Sequence, residues 1–329
     1  MQFAEIGRTL RERLDFRGVS MPAPGGRVVW RVVIAALVIL ALYFPIGMIW
    51  IHEISDDPDF TAGEAFQIDG GSHSVAIAAA LVDREINHNR WTANDPFFLP
   101  SAALDNMPNF QQGIVSAVAR FSFELTDQIG RTRGSSQTDP DLQEAAGLLQ
   151  YSGKKWIWDP SVSLMPTAAS EKQYQKAVTS LQNYNRRLVA GDAVFERRGD
   201  NLMATLDRIA LDLGSSSAVL DKHIIENSGG WLDFQADDLF YGIKGQTYAY
   251  YVILRGLGED FASVIKERQL GNAWGLMLES MHQSADLSPV VVVNGRPDGG
   301  MMPSHLAAQG FFLLRARTQL REITNILLK

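Results

Sequence analysis

The chain has 329 residues, of which 46% are apolar, enough to bury the core of one large domain or two ordinary ones. Its net charge of −7 provides no basic surplus for phosphate contacts, which argues against a nucleic-acid partner. The chain contains no cysteine, and this excludes disulfides, thiolate metal sites and cysteine nucleophiles.

Residues 1–31 form a basic tail with an amphipathic start. Phe3, Ile6, Leu10 and Leu14 recur at helical spacing, and arginines occupy the other faces. Such a segment either lies on an anionic inner leaflet or stays solvated, and the sequence favours neither.

Residues 32–51, "VVIAALVILALYFPIGMIWI", carry no charge and predict a transmembrane anchor. A helix rises about 1.5 Å per residue, so this segment spans roughly 30 Å, the thickness of a hydrocarbon core. A cleavable signal peptide has a shorter apolar region and a small-residue exit, whereas this segment runs into bulky and then acidic residues. We therefore predict that the anchor is retained.

The flanks of the anchor predict its orientation. Residues 1–31 carry six arginines and three acids, whereas residues 52–70 carry six acids and no lysine or arginine. The positive-inside rule places the N-terminus in the cytoplasm and everything after Ile51 on the far side. We predict a single-pass membrane protein, with the lipid bilayer as a partner and residues 52–70 as an acidic linker. In a Gram-negative cell the membrane would be the inner membrane and the rest of the chain would lie in the periplasm.

Residues 71–329 predict a helical periplasmic domain, which begins with a helix after "GGSHS". The segment 94–113 is too irregular for a long helix and too apolar for an ordinary loop. Its aromatic side chains either plug the domain core or form an apolar surface for a partner or for the bilayer. The residues of that candidate surface are Phe97, Phe98 and Phe110.

A heptad stripe runs through residues 170–227 and predicts two helices that fold back as an antiparallel hairpin. Its positions are Tyr174, Ala177, Leu181, Tyr184 and Leu188, then Leu202, Leu206, Ile209, Leu213 and Leu220. Further helical segments follow, and "SPVVVVNGRPDGG" (288–300) contains the one strong strand signal. The predicted fold class is mainly α, with minor strand content.

Three segments resemble a known family. They are "LDNMPNFQQG" (104–113), "GSSQTDPDL" (134–142) and "RRGDNLMATLDRIALDLGSSS" (197–217). Together they are similar to the bacterial inner-membrane proteins grouped as domain of unknown function 2333, and the resemblance extends from the anchor to the C-terminus. It implies a membrane-anchored envelope protein of a proteobacterium, and it carries no catalytic or ligand residue onto this chain.

Two Glu-x-x-His pairs match the half-sites of a carboxylate-bridged di-metal centre, which also needs two further carboxylates. The candidate ligands are Glu85, His88, Glu124, Glu196, Glu279 and His282. Ordinary contacts along a helix face explain the same spacing, and we favour them, so we predict no metal and no cofactor. In that case, changing Glu85 or His282 to alanine should alter stability only modestly.

Glu279 is followed by Ser280, as the catalytic Glu of lytic transglycosylases is followed by Ser, and it could act as the general acid on a glycosidic bond. No supporting motif follows it. The sequence also has no Walker loop, no G-x-S-x-G and no dinucleotide fingerprint. We therefore favour a non-enzymatic scaffold or adaptor that holds partner proteins in the envelope. The alternative is an envelope enzyme, either peptidoglycan-cleaving or di-metal.

Overall fold

The computed structural model describes residues 24–51, 53–103, 105–130, 138–158, 165–227, 233–289, 291–295 and 303–329. These residues form ten α-helices and no strand, which confirms the mainly α fold class. The amphipathic start predicted for the tail lies outside the described residues.

The helices are α1 (Pro24–Ile51), α2 (His73–Asp83), α3 (Asn106–Glu124), α4 (Pro140–Leu149), α5 (Ser170–Ala190), α6 (Gly199–Asn227), α7 (Phe234–Asp260), α8 (Ala262–Glu267), α9 (Gly271–Ala285) and α10 (His305–Leu327). Wider π-type turns continue α2 at Arg84–His88 and α3 at Leu125–Ile129. A single 3₁₀ turn covers Pro100–Ala103.

α1 contains the predicted anchor and begins eight residues before it. Residues Val28–Ile51 are long and apolar enough to cross a membrane, and none of that stretch is buried inside the protein. By length and composition this helix is suited to an apolar environment such as a bilayer.

The acidic segment after α1 packs against the helical domain. Asp56 lies 2.6 Å from the ammonium group of Lys244, and the Tyr248 hydroxyl donates a 2.8 Å hydrogen bond to the carbonyl of Asp57. The Phe60 ring lies 4.7 Å from the Arg84 guanidinium. These contacts fix the segment to the domain, so it is not a free spacer.

α7 is the central helix, and it packs against α2, α3 and α9. Its closest approach is to α3, where a side chain on Gly113 would clash with the carbonyl of Gly242 and one on Gly245 with the carbonyl of Phe110. The two helices are therefore antiparallel and touch through their backbones, which only glycine permits here.

The predicted hairpin is wrong in its pairing. α5 and α6 both form, and their heptad stripe is buried except at Leu188, which is partly exposed. However, α5 packs against α2 and α4, whereas α6 packs against α10. Gly214 faces Arg317 and Gly310 faces Leu220, so α6 and α10 are antiparallel.

The physical reason is that an apolar stripe shows which face of a helix is buried, but it does not identify the partner helix. The connection between α5 and α6 turns the chain away. Gly191 adopts a left-handed conformation, Phe195 packs on Phe261, and the Tyr184 hydroxyl donates to the carbonyl of Val194.

The strand predicted in 288–300 is also wrong for the residues that are described there. They contain one isolated antiparallel bridge, between Asn294 and Ser304. The Val293 N–H donates to the His305 ring rather than to a neighbouring strand. Valine-rich sequence needs a ladder partner to become a strand, and the start of α10 occupies that position.

Candidate functional site

Glu85, the first of the candidate metal ligands, is completely buried and fully paired. Arg84 lies 2.7 Å from its carboxylate, and the side-chain amides of Asn89 and Gln111 donate to it at 3.2–3.3 Å. Its oxygens are therefore satisfied by donors from the protein, as expected of a structural carboxylate in a core.

The other proposed metal ligands are dispersed. His88 is largely exposed and lies 3.7 Å from Asp83. The ring of His282 stacks on Tyr251, and Glu279 is exposed and accepts a hydrogen bond from Gln283. Glu196 is partly exposed, with its carboxylate 4.0 Å from the Arg198 guanidinium.

The di-metal arrangement is consequently not formed by these residues. Within the described ranges, no three His, Asp or Glu side chains converge in a group that could hold a metal ion. Each residue of the two Glu-x-x-His pairs makes its own separate contacts.

The three phenylalanines of the predicted apolar surface separate into two groups. Phe97 is 86% exposed and Phe98 is 50% exposed. Phe110 is completely buried within α3, beside the ring of Tyr248, so its assignment to an exposed surface is wrong. Phe110 therefore belongs to the domain core, whereas Phe97 and Phe98 are exposed, and their role as a surface for a partner or for the bilayer stays a prediction.

A polar groove between helices is the strongest candidate site that the structure adds. It has a volume of about 470 Å³ and is formed by α3, the C-terminal end of α4, α5, α6 and α7. Its polar lining consists of Gln112, Gln150, Gln246, Ser116, Ser215, Ser216, Arg120 and Asp212. Its aromatic lining consists of Phe123, Tyr151 and Tyr174.

The groove walls are held by hydrogen bonds at both ends. The Ser216 hydroxyl donates to the side-chain carbonyl of Gln246 at 2.5 Å, which joins α6 to α7. The Tyr174 hydroxyl donates to the carbonyl of Tyr151 at 2.7 Å, and the Trp91 indole donates to the carbonyl of Gly153 at 2.8 Å. The lining is therefore preorganised.

A charge-balanced pair lies within the groove. The Arg120 guanidinium donates to the Asp212 carboxylate at 3.2 Å, and the buried Tyr250 hydroxyl donates to the same oxygen at 2.7 Å. Burial and the neighbouring carboxylate raise the pKa of Tyr250 well above its usual value, so it stays a neutral donor.

Glu124 lies one helical turn from Arg120, at the edge of this pair. Burial raises the pKa of its carboxyl group, and Arg208, 3.5 Å away, opposes part of that shift. Glu124 was a candidate ligand of the metal site that we did not favour, and the structure places it in an ion-pair network with Arg208.

The comparison with known proteins identifies the family. A family model described as an uncharacterized protein conserved in bacteria, DUF2333, matches residues 25–230 and 222–329. The chain belongs to the DUF2333 family. No curated protein and no solved structure matches it.

Membership confirms the resemblance predicted from the segments 104–113, 134–142 and 197–217. Two of those segments carry residues of the groove in this DUF2333 chain. Gln112 belongs to the first, and Asp212, Ser215 and Ser216 belong to the third. Nothing in the local sequence marks these residues as a site, because serine and glutamine on a helix most often face solvent. The packing of α3, α6 and α7 brings them together.

Proposed function

We propose that this protein is a membrane-anchored, non-enzymatic adaptor of the bacterial cell envelope that holds an extended segment of a partner protein in the polar groove. The observation that supports it is the groove lining, in which amide and hydroxyl side chains surround one neutralised ion pair. Family membership supports a bacterial protein.

The chemistry of the lining matches an extended peptide. Each residue of such a peptide presents one N–H donor and one C=O acceptor, and a glutamine side chain offers both groups. Gln150 and Ser116 are exposed at the groove, and Phe123 adds an apolar contact at 44% exposure. The volume of about 470 Å³ falls within the range of ligand sites, roughly 300–1,000 Å³.

The ion pair argues against selection by charge. Because Arg120 and Asp212 neutralise each other, neither attracts a ligand of one sign over long range. Recognition then depends on hydrogen bonds and shape, as expected of an adaptor that takes a backbone rather than a charged group.

The apolar helix α1 and its flanks support an inner-membrane location with the domain in the periplasm. A reporter that is active only in the periplasm is expected to be active when fused after Lys329. The same reporter fused after Gly26, before the anchor, is the matched control and is expected to be inactive. The opposite pattern would reverse the topology, and a mature N-terminus beyond Ile51 would replace the anchor by a cleaved signal.

Photocrosslinking in intact cells tests the groove. A photoreactive phenylalanine derivative introduced at Gln150 or Ser116 is expected to form one discrete adduct with another envelope protein, because both side chains face the bound segment. The control position is Thr179, which is exposed on α5 and outside the groove. It should give no such adduct.

A groove-filling variant provides a second measurement. Ser116→Trp is expected to abolish the adduct formed from Gln150 while leaving the thermal unfolding of the purified protein unchanged, because Ser116 is exposed. Equal adducts from Gln150 and Thr179 would contradict the proposal. An adduct with a glycan strand instead of a protein would contradict it as well.

A further inference from the structure

A cluster of large apolar side chains lies exposed at one side of the domain. We call it the aromatic patch, and its residues are Phe97, Phe98, Trp156, Ile157 and Trp158. Phe97 is 86% exposed, and Phe98, Ile157 and Trp158 are each 50–51% exposed. The ring centroids of Phe97 and Phe98 are 5.6 Å apart, and those of Phe98 and Trp156 are 6.2 Å apart. Contiguous exposed apolar surface of this kind marks an interaction site.

The backbone under the aromatic patch is fixed by hydrogen bonds. The Thr167 N–H donates to the carbonyl of Ile157 at 2.7 Å, and its hydroxyl donates to the carbonyl of Trp156 at 3.1 Å. The Asn94 side chain donates to the carbonyl of Lys155 at 2.8 Å. The backbone that carries Trp156 and Ile157 is therefore fixed by the fold.

The aromatic patch lies beside the outer end of α1. The 3₁₀ turn that starts at Pro100, three residues after Phe97, packs against α1. The contact is close enough that a side chain on Gly47 would clash with the Pro100 ring. Gly47 precedes Ile51 by four residues, or about 6 Å along the helix axis. Pro100 therefore lies level with the last turn of the apolar helix.

The docked acidic segment gives a second, independent limit on that distance. Asp56 follows the end of α1 by five residues, which can span at most about 18 Å. Its carboxylate is bound to Lys244, whose ammonium also donates to the carbonyl of Leu287 at 2.8 Å. The body of the domain is thus held within that reach of the end of α1.

We propose that the aromatic patch inserts into the interface of the bilayer that α1 spans, so that the domain contacts lipid directly as well as through its anchor. The inference rests on the proposed membrane anchoring. Trp side chains are enriched at membrane interfaces, and apolar faces enter the boundary between headgroups and acyl chains by about 5–10 Å. The 6 Å offset of Pro100 from the end of α1 matches that depth.

The insertion would also fix the distance between the polar groove and the membrane surface. Tyr151 and Gly153 line the groove, and Trp156 follows them in the same segment. A patch seated in the interface therefore keeps the groove close to the membrane surface. A bound segment would then belong to the juxtamembrane part of a partner.

Single-cysteine labelling of the full chain tests the inference, because the natural chain has no cysteine. An environment-sensitive fluorophore is attached to the cysteine of Phe97→Cys. The labelled protein is then placed in nanodiscs of phosphatidylethanolamine and phosphatidylglycerol with brominated acyl chains. We expect a blue-shifted emission that bromine quenches. Phe311→Cys is the matched control, since Phe311 is 61% exposed on α10, which packs against α6 and α9. It should be neither shifted nor quenched.

A probe at Ile39→Cys, within α1, distinguishes insertion of the aromatic patch from membrane anchoring by α1. Quenching at Ile39 without quenching at Phe97 would overturn bilayer insertion and leave the anchor standing. Absence of quenching at both positions would overturn the anchor, and the proposed function with it. Equal quenching at Phe97 and Phe311 would also overturn the inference. Protection of the Phe97 probe from aqueous iodide in native membranes but not in nanodiscs would overturn the inference too, because a protein would then cover the aromatic patch.

Discussion

Glu85→Ala is expected to destabilise the folded protein by about 3–5 kcal/mol, because it removes one partner of a buried ion pair. Glu85 has no exposed side-chain surface, and the side chain of Arg84 is only 12% exposed. The guanidinium also lies over the rings of Phe60 and Tyr248, so it cannot move out to water without losing those contacts. The remaining charge would stay in the core without a counter-ion.

The pKa of Arg84 shows how strongly this environment depends on the carboxylate. Burial alone would lower that pKa, yet the neighbouring Glu85 and the hydroxyl of Tyr248 hold it above its usual value. Without Glu85 the burial penalty is opposed only by Tyr248. This result differs from the modest change that the sequence predicts for Glu85→Ala, because the sequence does not reveal that Glu85 is buried.

Thermal and denaturant unfolding of the purified full chain would measure the effect. Glu279→Ala is the matched control, since Glu279 is exposed, and it should change stability by no more than about 0.5 kcal/mol. The double variant Arg84→Met with Glu85→Leu should recover most of the loss, because an apolar pair leaves no buried charge. A Glu85→Ala variant as stable as Glu279→Ala would disprove the structural role.

Helix positions and buried faces could be predicted from the sequence, whereas helix partners could not. Leu181 and Leu206 lie on the heptad stripe, and both are completely buried. Their period follows from the 3.6-residue helical turn, which is a local property. The choice of α10 as the partner of α6 depends on Gly214 and Gly310 facing large side chains across the interface, and no local pattern encodes that.

Within segment 94–113, the burial of some residues could be predicted from the sequence and that of others could not. Met107, Phe110 and Ile114 recur at helical spacing, so the burial of Phe110 inside α3 could have been predicted. Phe97 and Phe98 are adjacent and carry no period, so the sequence offers them as a candidate surface but does not decide between exposure and burial. Their exposure is seen only in the structure, and the contact of Pro100 with α1 shows where they lie relative to that helix.

The groove was beyond sequence analysis for a related reason. Ser116, Gln150 and Gln246 come from separate elements, and each is unremarkable in its own helix or turn. The groove forms only where α3, α6, α7 and the end of α4 pack together, which brings their polar side chains to one cleft. The sequence likewise shows that Glu124 and Asp212 are acidic, but it does not show that they pair with Arg208 and Arg120.

Asp260→Ala is expected to cost at least about 3 kcal/mol, because each buried donor left without an acceptor costs about 1–3 kcal/mol. The Asp260 carboxylate is 5% exposed and lies at the C-terminal end of α7. It accepts hydrogen bonds from the Ser72 hydroxyl at 2.7 Å and the His73 N–H at 2.8 Å. It also accepts from the N–H and the hydroxyl of Ser74, at 3.0 and 2.6 Å.

This carboxylate caps the start of α2 from a residue 188 positions away in the chain. The free N–H groups and the helix dipole both favour a negative charge at that end, by up to about 2 kcal/mol in partly buried sites. Asp260→Asn keeps the size and one acceptor but loses the charge, so it should destabilise less than alanine does. Asp207→Ala, on the exposed face of α6, should have almost no effect.

Hydrogen exchange would locate the damage. In Asp260→Ala, the amides of α2 from Val75 to Leu81 should exchange faster, because the start of α2 loses its capping hydrogen bonds to α7, while those of α9 keep their protection. The acidic segment packs against the same two helices through Phe60 and Asp57, so its protection should fall together with that of α2. Uniform loss of protection across all helices would instead mean global unfolding, and unchanged protection in α2 would show that the cap is dispensable.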